Sequence, residues 1–168
     1  MSPTIPQPTA SLARKHVRFG WLMLAAFAIV GITLEGFHGF KTGWYLEDAY
    51  ETRRLLFTLG HAHGALLALI NVVFGVASAV LGGSVPKLLQ VSRLLLAGTV
   101  LLPAGFFLGG FGLYGADPGI GVYLVPIGAV CVLAAFLIAA FSGGPSVPEA
   151  EPSKPDSGAR TRSRRSRR

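Results

Sequence analysis

The sequence predicts an all-α, polytopic membrane protein: a four-transmembrane-helix bundle with disordered termini. Composition and charge placement carry that reading. Of the 168 residues, 51% are hydrophobic and only 14% charged. The charges are also segregated. From Phe19 to Phe40 the only formally charged group is Glu35. From Leu55 to Leu81 there is none, and His61 and His63 are the ionisable residue types in that run. From Gln90 to Phe141 there are only Arg93 and Asp117, both outside the apolar cores. A helix needs about 20 apolar residues to cross a hydrocarbon layer of ~30 Å. Four stretches meet that length: residues 19–40, 56–81, 94–113 and 120–141. A soluble four-helix bundle would show a polar face on each helix, and the last two stretches show almost none.

Lysine and arginine placement sets the expected topology. Arg14, Lys15 and Arg18 precede the first stretch, and Lys87 and Arg93 lie between the second and third. Lys154, Arg160, Arg162, Arg164, Arg165, Arg167 and Arg168 follow the fourth. Four crossings put all of these on one side. The other side keeps only Lys41, Arg53 and Arg54, interleaved with Glu47, Asp48 and Glu51. The excess of Lys and Arg marks the cytoplasmic side. The expectation is a multi-pass protein of a bacterial-type plasma (inner) membrane with both termini cytoplasmic. The first apolar run is too long for a secretory signal and is followed by three more. Cys131 is the only cysteine, which excludes an intrachain disulfide and a CxxC metal site.

Taken in order, residues 1–13 hold three prolines and small polar residues and read as a disordered lead. Residues 14–142 form the transmembrane domain. The first helix is expected to end near Phe40, where Gly39 and Gly43 bracket Lys41, and Trp44 and Tyr45 suit the membrane–water interface. Asp48 and Glu51 have capping-box spacing, which starts the second helix near Ala49, ahead of the apolar run. Gly82-Gly83-Ser84-Val85-Pro86 reads as a short turn, with Ser84 as N-cap and Pro86 in the first turn of the third helix. Pro103 lies inside that helix, where its missing N–H predicts a kink. Tyr114-Gly115-Ala116-Asp117-Pro118-Gly119 reads as a tight turn. Residues 143–168, rich in Pro, Ser, Gly and Arg, have nothing to bury and read as a disordered basic tail. Arginine clustering there is compatible with RNA, but beside a membrane domain it points to a topology anchor or to anionic lipid rather than nucleic acid.

Small residues fall on helical arcs. At ~100° per residue, Gly60, Gly64, Leu67, Asn71, Gly75 and Ser78 share one face of the second helix. Gly20, Leu24, Ala28, Gly31, Glu35 and His38 are assigned to one face of the first. Gly98, Leu102, Gly105, Gly109 and Gly112 share one face of the third. Gly60-x-x-x-Gly64 and Gly105-x-x-x-Gly109 have the small-xxx-small spacing that lets membrane helices approach closely.

The chemistry-bearing residues are Glu35, His38, His61 and His63, all expected in the outer third of the bilayer. His16 lies outside the apolar stretch, among Arg14, Lys15 and Arg18. Ionisable groups inside a membrane are functional candidates by default. One reading is a haem b held by histidines of two helices, with Lys41, Arg53 or Arg54 at the propionates and glycines leaving room for the macrocycle. A second is a divalent metal on Glu35, His38 and one of His61 or His63. A third is a proton or ion relay. The fourth is a hydrogen-bond network that only fixes helix register, with Glu35 or His38 within reach of His61 or His63. No hydrolase constellation or nucleotide-binding loop is present.

The run Gly60-His61-Ala62-His63-Gly64-Ala65-Leu66-Leu67-Ala68-Leu69 resembles the His-Ala-His second helix of small uncharacterised bacterial four-helix integral membrane proteins. It is also similar to histidine-bearing helices of membrane haem proteins. Neither resemblance implies an activity at these positions, and the ligand set of a haem–copper oxidase is absent. The expected function is non-enzymatic: a small membrane subunit or accessory protein. Its expected partners are the bilayer, a membrane protein or a second copy. A haem- or metal-binding redox subunit is the alternative, and a transport component the third.

Overall fold

The computed structural model describes residues 7–47 and 50–141. The expected basic tail and the Asp48 half of the capping box lie outside them. Four long helices dominate: α1 (Gln7–Gly39), α3 (Glu51–Leu81), α4 (Val85–Phe111) and α5 (Leu124–Phe141). The short α2 (Gly43–Leu46) follows α1, and a 3-10 turn (Ile120–Tyr123) leads into α5. Each long segment has the length and apolarity of a membrane span. Alternating directions bring Gln7, Phe141 and the Gly82–Ser84 turn to one end, the termini end. The α1–α3 and α4–α5 connections lie at the other, the loop end.

The helices pack in chain order. α3 lies against α1 and α4, and α4 against α5, whereas α1 meets α4 only slightly and does not touch α5. What sets each interface is glycine against a bulky partner. A Cβ on Gly20 would come within 2.7 Å of the Ala68 carbonyl oxygen, and one on Gly75 within 2.8 Å of that of Ala13. The backbones of α1 and α3 therefore approach closely at both places. Further along the same interface the Phe27 ring fills the space at Gly64, and the His61 ring fills that at Gly31. Between α4 and α5, Gly128 sits on the Leu102 backbone and Gly105 on that of Val125. Gly60 receives the Phe107 ring from α4. Small residues give such contact where dispersion, rather than water release, must hold helices together.

The face that α1 presents differs from the expected one. Ala13, Gly20, Phe27 and Leu34 are buried, at seven-residue spacing, with Thr9 and His16 beside them. Ala28 and Glu35 are exposed. Steps of four residues, as in Gly20, Leu24, Ala28, advance ~400° and so drift ~40° each time. Steps of seven return nearly to the starting face, which suits the long, gently wrapped contact of a coiled-coil-like pair. The α3 face, where steps of three offset steps of four, has Gly60, Gly64, Leu67, Asn71, Gly75 and Ser78 all buried.

α1 also begins at Gln7, well before Phe19. Thr9, Leu12 and Ala13 are buried, because Gly75 lets this first stretch dock on α3. At 33 residues, α1 is about 50 Å long, more than a ~30 Å hydrocarbon layer requires. It ends in a left-handed turn at Lys41 (φ 51°), where the Thr42 N–H donates to the Phe37 carbonyl at 3.0 Å. α3 starts at Glu51. Ser84 occupies the N-cap position of α4 without a side-chain cap bond, and Pro103 is buried within α4. Tyr45 is 1% exposed, packed with Leu34 and Phe57.

The packing predicts a graded response to leucine. Gly20→Leu and Gly64→Leu place a side chain into backbone and into the Phe27 ring, and should each lower the unfolding temperature in detergent sharply. Gly109→Leu, where a Cβ would still lie 3.3 Å from Val122, should cost less. Val130→Leu, at a 65% exposed position, should cost nothing. Equal tolerance at all four would contradict the interfaces.

Candidate functional site

The polar residues that the fold brings together lie in the half of the bundle nearest the termini. His16 of α1, Asn71 of α3, and Ser92 and Thr99 of α4 are all buried, with His16, Asn71 and Thr99 at 0% exposure. His16 Nδ1 is 2.7 Å from Asn71 Oδ1, and His16 Nε2 is 2.8 Å from Ser92 Oγ. Asn71 Nδ2 donates to the Leu67 carbonyl and to Thr99 Oγ1, each at 2.8 Å. Thr99 Oγ1 donates to the Leu95 carbonyl at 2.7 Å. Local geometry explains the positions. Ser92 and Thr99 are seven residues apart and share one face of α4, and Asn71 sits on the α3 face between Leu67 and Gly75.

The bonding pattern assigns the proton positions. Turning the Asn71 amide over would set its oxygen against the Leu67 carbonyl, two acceptors facing each other. Asn71 Oδ1 therefore accepts, and His16 Nδ1 carries the hydrogen that it accepts. In the neutral ring, Nε2 is left as acceptor for the Ser92 hydroxyl. The result is a directional chain from Ser92 through His16 and Asn71 to Thr99, which ends on a helix carbonyl. Every donor in it has an acceptor. The edge of the His16 ring meets Phe74 at 4.7 Å between centroids, which completes an apolar wall on α3.

The four candidate residues of the sequence reading are arranged differently. Glu35 is exposed. The His38 and His63 rings each turn back to the carbonyl four residues earlier on their own helix, at 3.2 Å to Leu34 and 2.8 Å to Leu59. His38 also stands edge-on to Tyr45, and His63 lies over Phe106. The His61 ring rests on Gly31, and its buried Nδ1 lacks a partner among the described residues. No direct hydrogen bond joins Glu35 or His38 to His61 or His63 among the described residues. The physical reason is the α1 face: Ala13, Gly20, Phe27 and Leu34 point at α3, which turns Glu35 away. Among the described residues, no three of His, Cys, Asp or Glu converge as metal ligands would. The room expected for a macrocycle is also taken, by Phe107 at Gly60, Phe27 at Gly64 and His61 at Gly31.

A second polar cluster closes the loop end. Arg53 is 7% exposed. Its Nε donates to the Gly110 carbonyl at 3.1 Å and its Nη1 to that of Trp44 at 2.8 Å. Its guanidinium lies between the Trp44 and Tyr50 rings, 4.2 and 4.3 Å from their centroids. Arg54 donates to the Leu46 carbonyl at 2.7 Å, and Thr52 to that of Ala116 at 2.7 Å. These groups join α2, α3 and α4. Both arginines are committed to carbonyls, rather than held out toward a propionate.

His16 was hidden in the sequence by its neighbours, because Arg14, Lys15 and Arg18 read as solvated flank. Two signals pointed to it. It sits midway along the Ala13–Gly20 register, and Asn71, Ser92 and Thr99 are polar residues on apolar helix faces that each require a partner.

Loss of the network should cost more than loss of the outer residues. His16→Leu strands the Asn71 carbonyl oxygen, and should destabilise the folded protein by roughly 1–2 kcal/mol. Glu35→Gln should fall within about 0.5 kcal/mol of the parent. Both are measurable by reversible unfolding in mixed micelles. Nitrogen NMR of the His16 ring should show a protonated Nδ1 and an unprotonated Nε2. The opposite tautomer would contradict the assigned chain.

Neither a family model, a curated protein nor a solved structure matches the chain.

Proposed function

We propose that the chain is a small, non-enzymatic integral membrane subunit or accessory protein of a plasma membrane, with both termini cytoplasmic. The observation that supports this reading best is the closed hydrogen-bond chain from Ser92 to Thr99. Its donors and acceptors are spent on one another and on helix carbonyls, which suits fixing helix register rather than binding or moving a solute. The outer histidines add to this, since two of the three are likewise engaged with their own helices. A haem or metal reading would need side chains that converge on one point, and a relay would need a polar path that continues to both ends. No observation of either kind favours them. The termini and the 84–93 region carry most of the Lys and Arg, which supports the cytoplasmic assignment of that end. The flanks of α1 and α5, which do not meet each other, suit lipid or a neighbouring membrane protein.

Two measurements test the proposal. A reporter fused after Arg168 should remain cytoplasmic, whereas one inserted at Glu47 should be exported, and export of the first would overturn the topology. The purified protein should show no Soret band and no stoichiometric metal, with His38→Asn and His63→Asn variants unchanged in both respects. A bound haem or metal lost in either variant would replace the accessory reading with the redox one.

A further inference from the structure

An apolar groove of about 360 Å³ opens near the loop end. It is lined by Val30, Thr33 and Phe37 of α1, Trp44 of α2, Phe107 and Phe111 of α4, and by three further apolar side chains. It exists because α1 and α4 both lean on α3 but scarcely meet each other. Phe57 of α3 forms part of its lining. The groove opens sideways: Ile29 on α1 is 66% exposed and Phe111 on α4 61%. From Ile29 to Phe37 it runs about 12 Å along the helix. The one hydroxyl in its lining, on Thr33, is already bonded to the Ile29 carbonyl at 2.9 Å.

We propose that this groove holds one acyl chain of a bilayer phospholipid, with the lipid phosphate at the α1–α2 turn. Three observations carry the choice of occupant. First, the groove faces sideways out of a membrane span, so what reaches it comes from the hydrocarbon layer. Second, its lining offers water no partner, and an unfilled apolar gap forfeits the dispersion contacts of everything around it. Third, its loop-end limit sets an exposed lysine beside an aromatic residue. Trp44 lines the groove at that end. Exposed Lys41 lies three residues before it in the turn. A phosphate placed at that depth meets positive charge and an aromatic belt residue, as lipid headgroups do at membrane interfaces. The occupant is thus an amphiphile whose two halves match the two ends of the groove. Its residence goes beyond the accessory role proposed above and does not depend on it.

The test is lipid retention by the full chain. The protein is reconstituted in vesicles of equal phosphatidylglycerol and phosphatidylcholine, extracted in mild detergent, stripped by extended washing and weighed by native mass spectrometry. The expected result is one phospholipid retained per chain. Thr33→Trp, at an exposed lining position, should fill the groove and lose that lipid without lowering the melting temperature. Should Thr33→Trp fail to fold, Ile29→Trp serves the same purpose from the lip. Lys41→Gln should lower the share of phosphatidylglycerol in what is retained. No lipid on the parent protein would overturn the proposal. So would equal retention by the groove-filling variant, or a retained molecule without a phosphate.

Discussion

Buried between helices, a polar side chain has no water to fall back on, so its partner must come from the protein. His16, Asn71, Ser92 and Thr99 meet that requirement together. Each alone would be a liability on an apolar helix. Joined, they tie α1, α3 and α4 at one level with a fixed direction for every hydrogen bond. The rest of the packing is compatible with this tie and extends it in both directions. Toward the termini, Gly75 accepts the α1 backbone at Ala13. Toward the loops, Gly20 lies on Ala68 and Phe27 enters the space at Gly64. A slip of α1 by one residue would carry His16 ~100° around its helix and set every glycine against the wrong partner. Dispersion alone between apolar helices discriminates poorly among such slips. The polar chain discriminates strongly, because a half-made network leaves buried groups unpaired.

The loop end uses a different device for the same purpose. Arg53 is buried with two carbonyls and two aromatic faces around its guanidinium. Cation–π contact of this kind is worth more when desolvated. It fixes α2 over the ends of α3 and α4. It also holds Trp44, the aromatic residue at the loop-end limit of the sideways groove. Lateral openness and a tightly specified register therefore coexist: α1 packs along α3 and meets α4 at few places, His16–Ser92 among them, which leaves the groove open between α1 and α4 at the loop end.

What was legible in the sequence follows from what each constraint looks like along a chain. The spans were legible because the bilayer's demand is one-dimensional, a run of apolar residues of sufficient length. The α3 face was legible because Gly60, Gly64, Leu67, Asn71, Gly75 and Ser78 mix steps of four with steps of three and so stay on one side. The α1 face was not, because four-residue steps from Gly20 drift off the contact, while the true series runs through Ala13, Phe27 and Leu34. That drift turned Glu35 toward α3 on paper and away from it in the fold. His16 was lost for a related reason. Flanking charge marks where a helix leaves the hydrocarbon, but it does not mark where a helix leaves the protein, and α1 continues packing for several turns beyond its apolar run. The His-Ala-His run drew attention by composition, although its two rings part company, one toward α1 and one toward α4.

His16 and Asn71 stabilise the bundle as a pair. A double-mutant cycle with His16→Ala, Asn71→Ala and the double variant, followed by reversible unfolding in mixed micelles, measures that pair directly. Interhelical hydrogen bonds in membrane proteins couple by about 0.6 kcal/mol on average and reach about 1.7. A fully buried, fully satisfied pair should lie in the upper part of that range. Additive losses, within about 0.3 kcal/mol, would mean that the two side chains do not act together and that apolar packing alone sets the register.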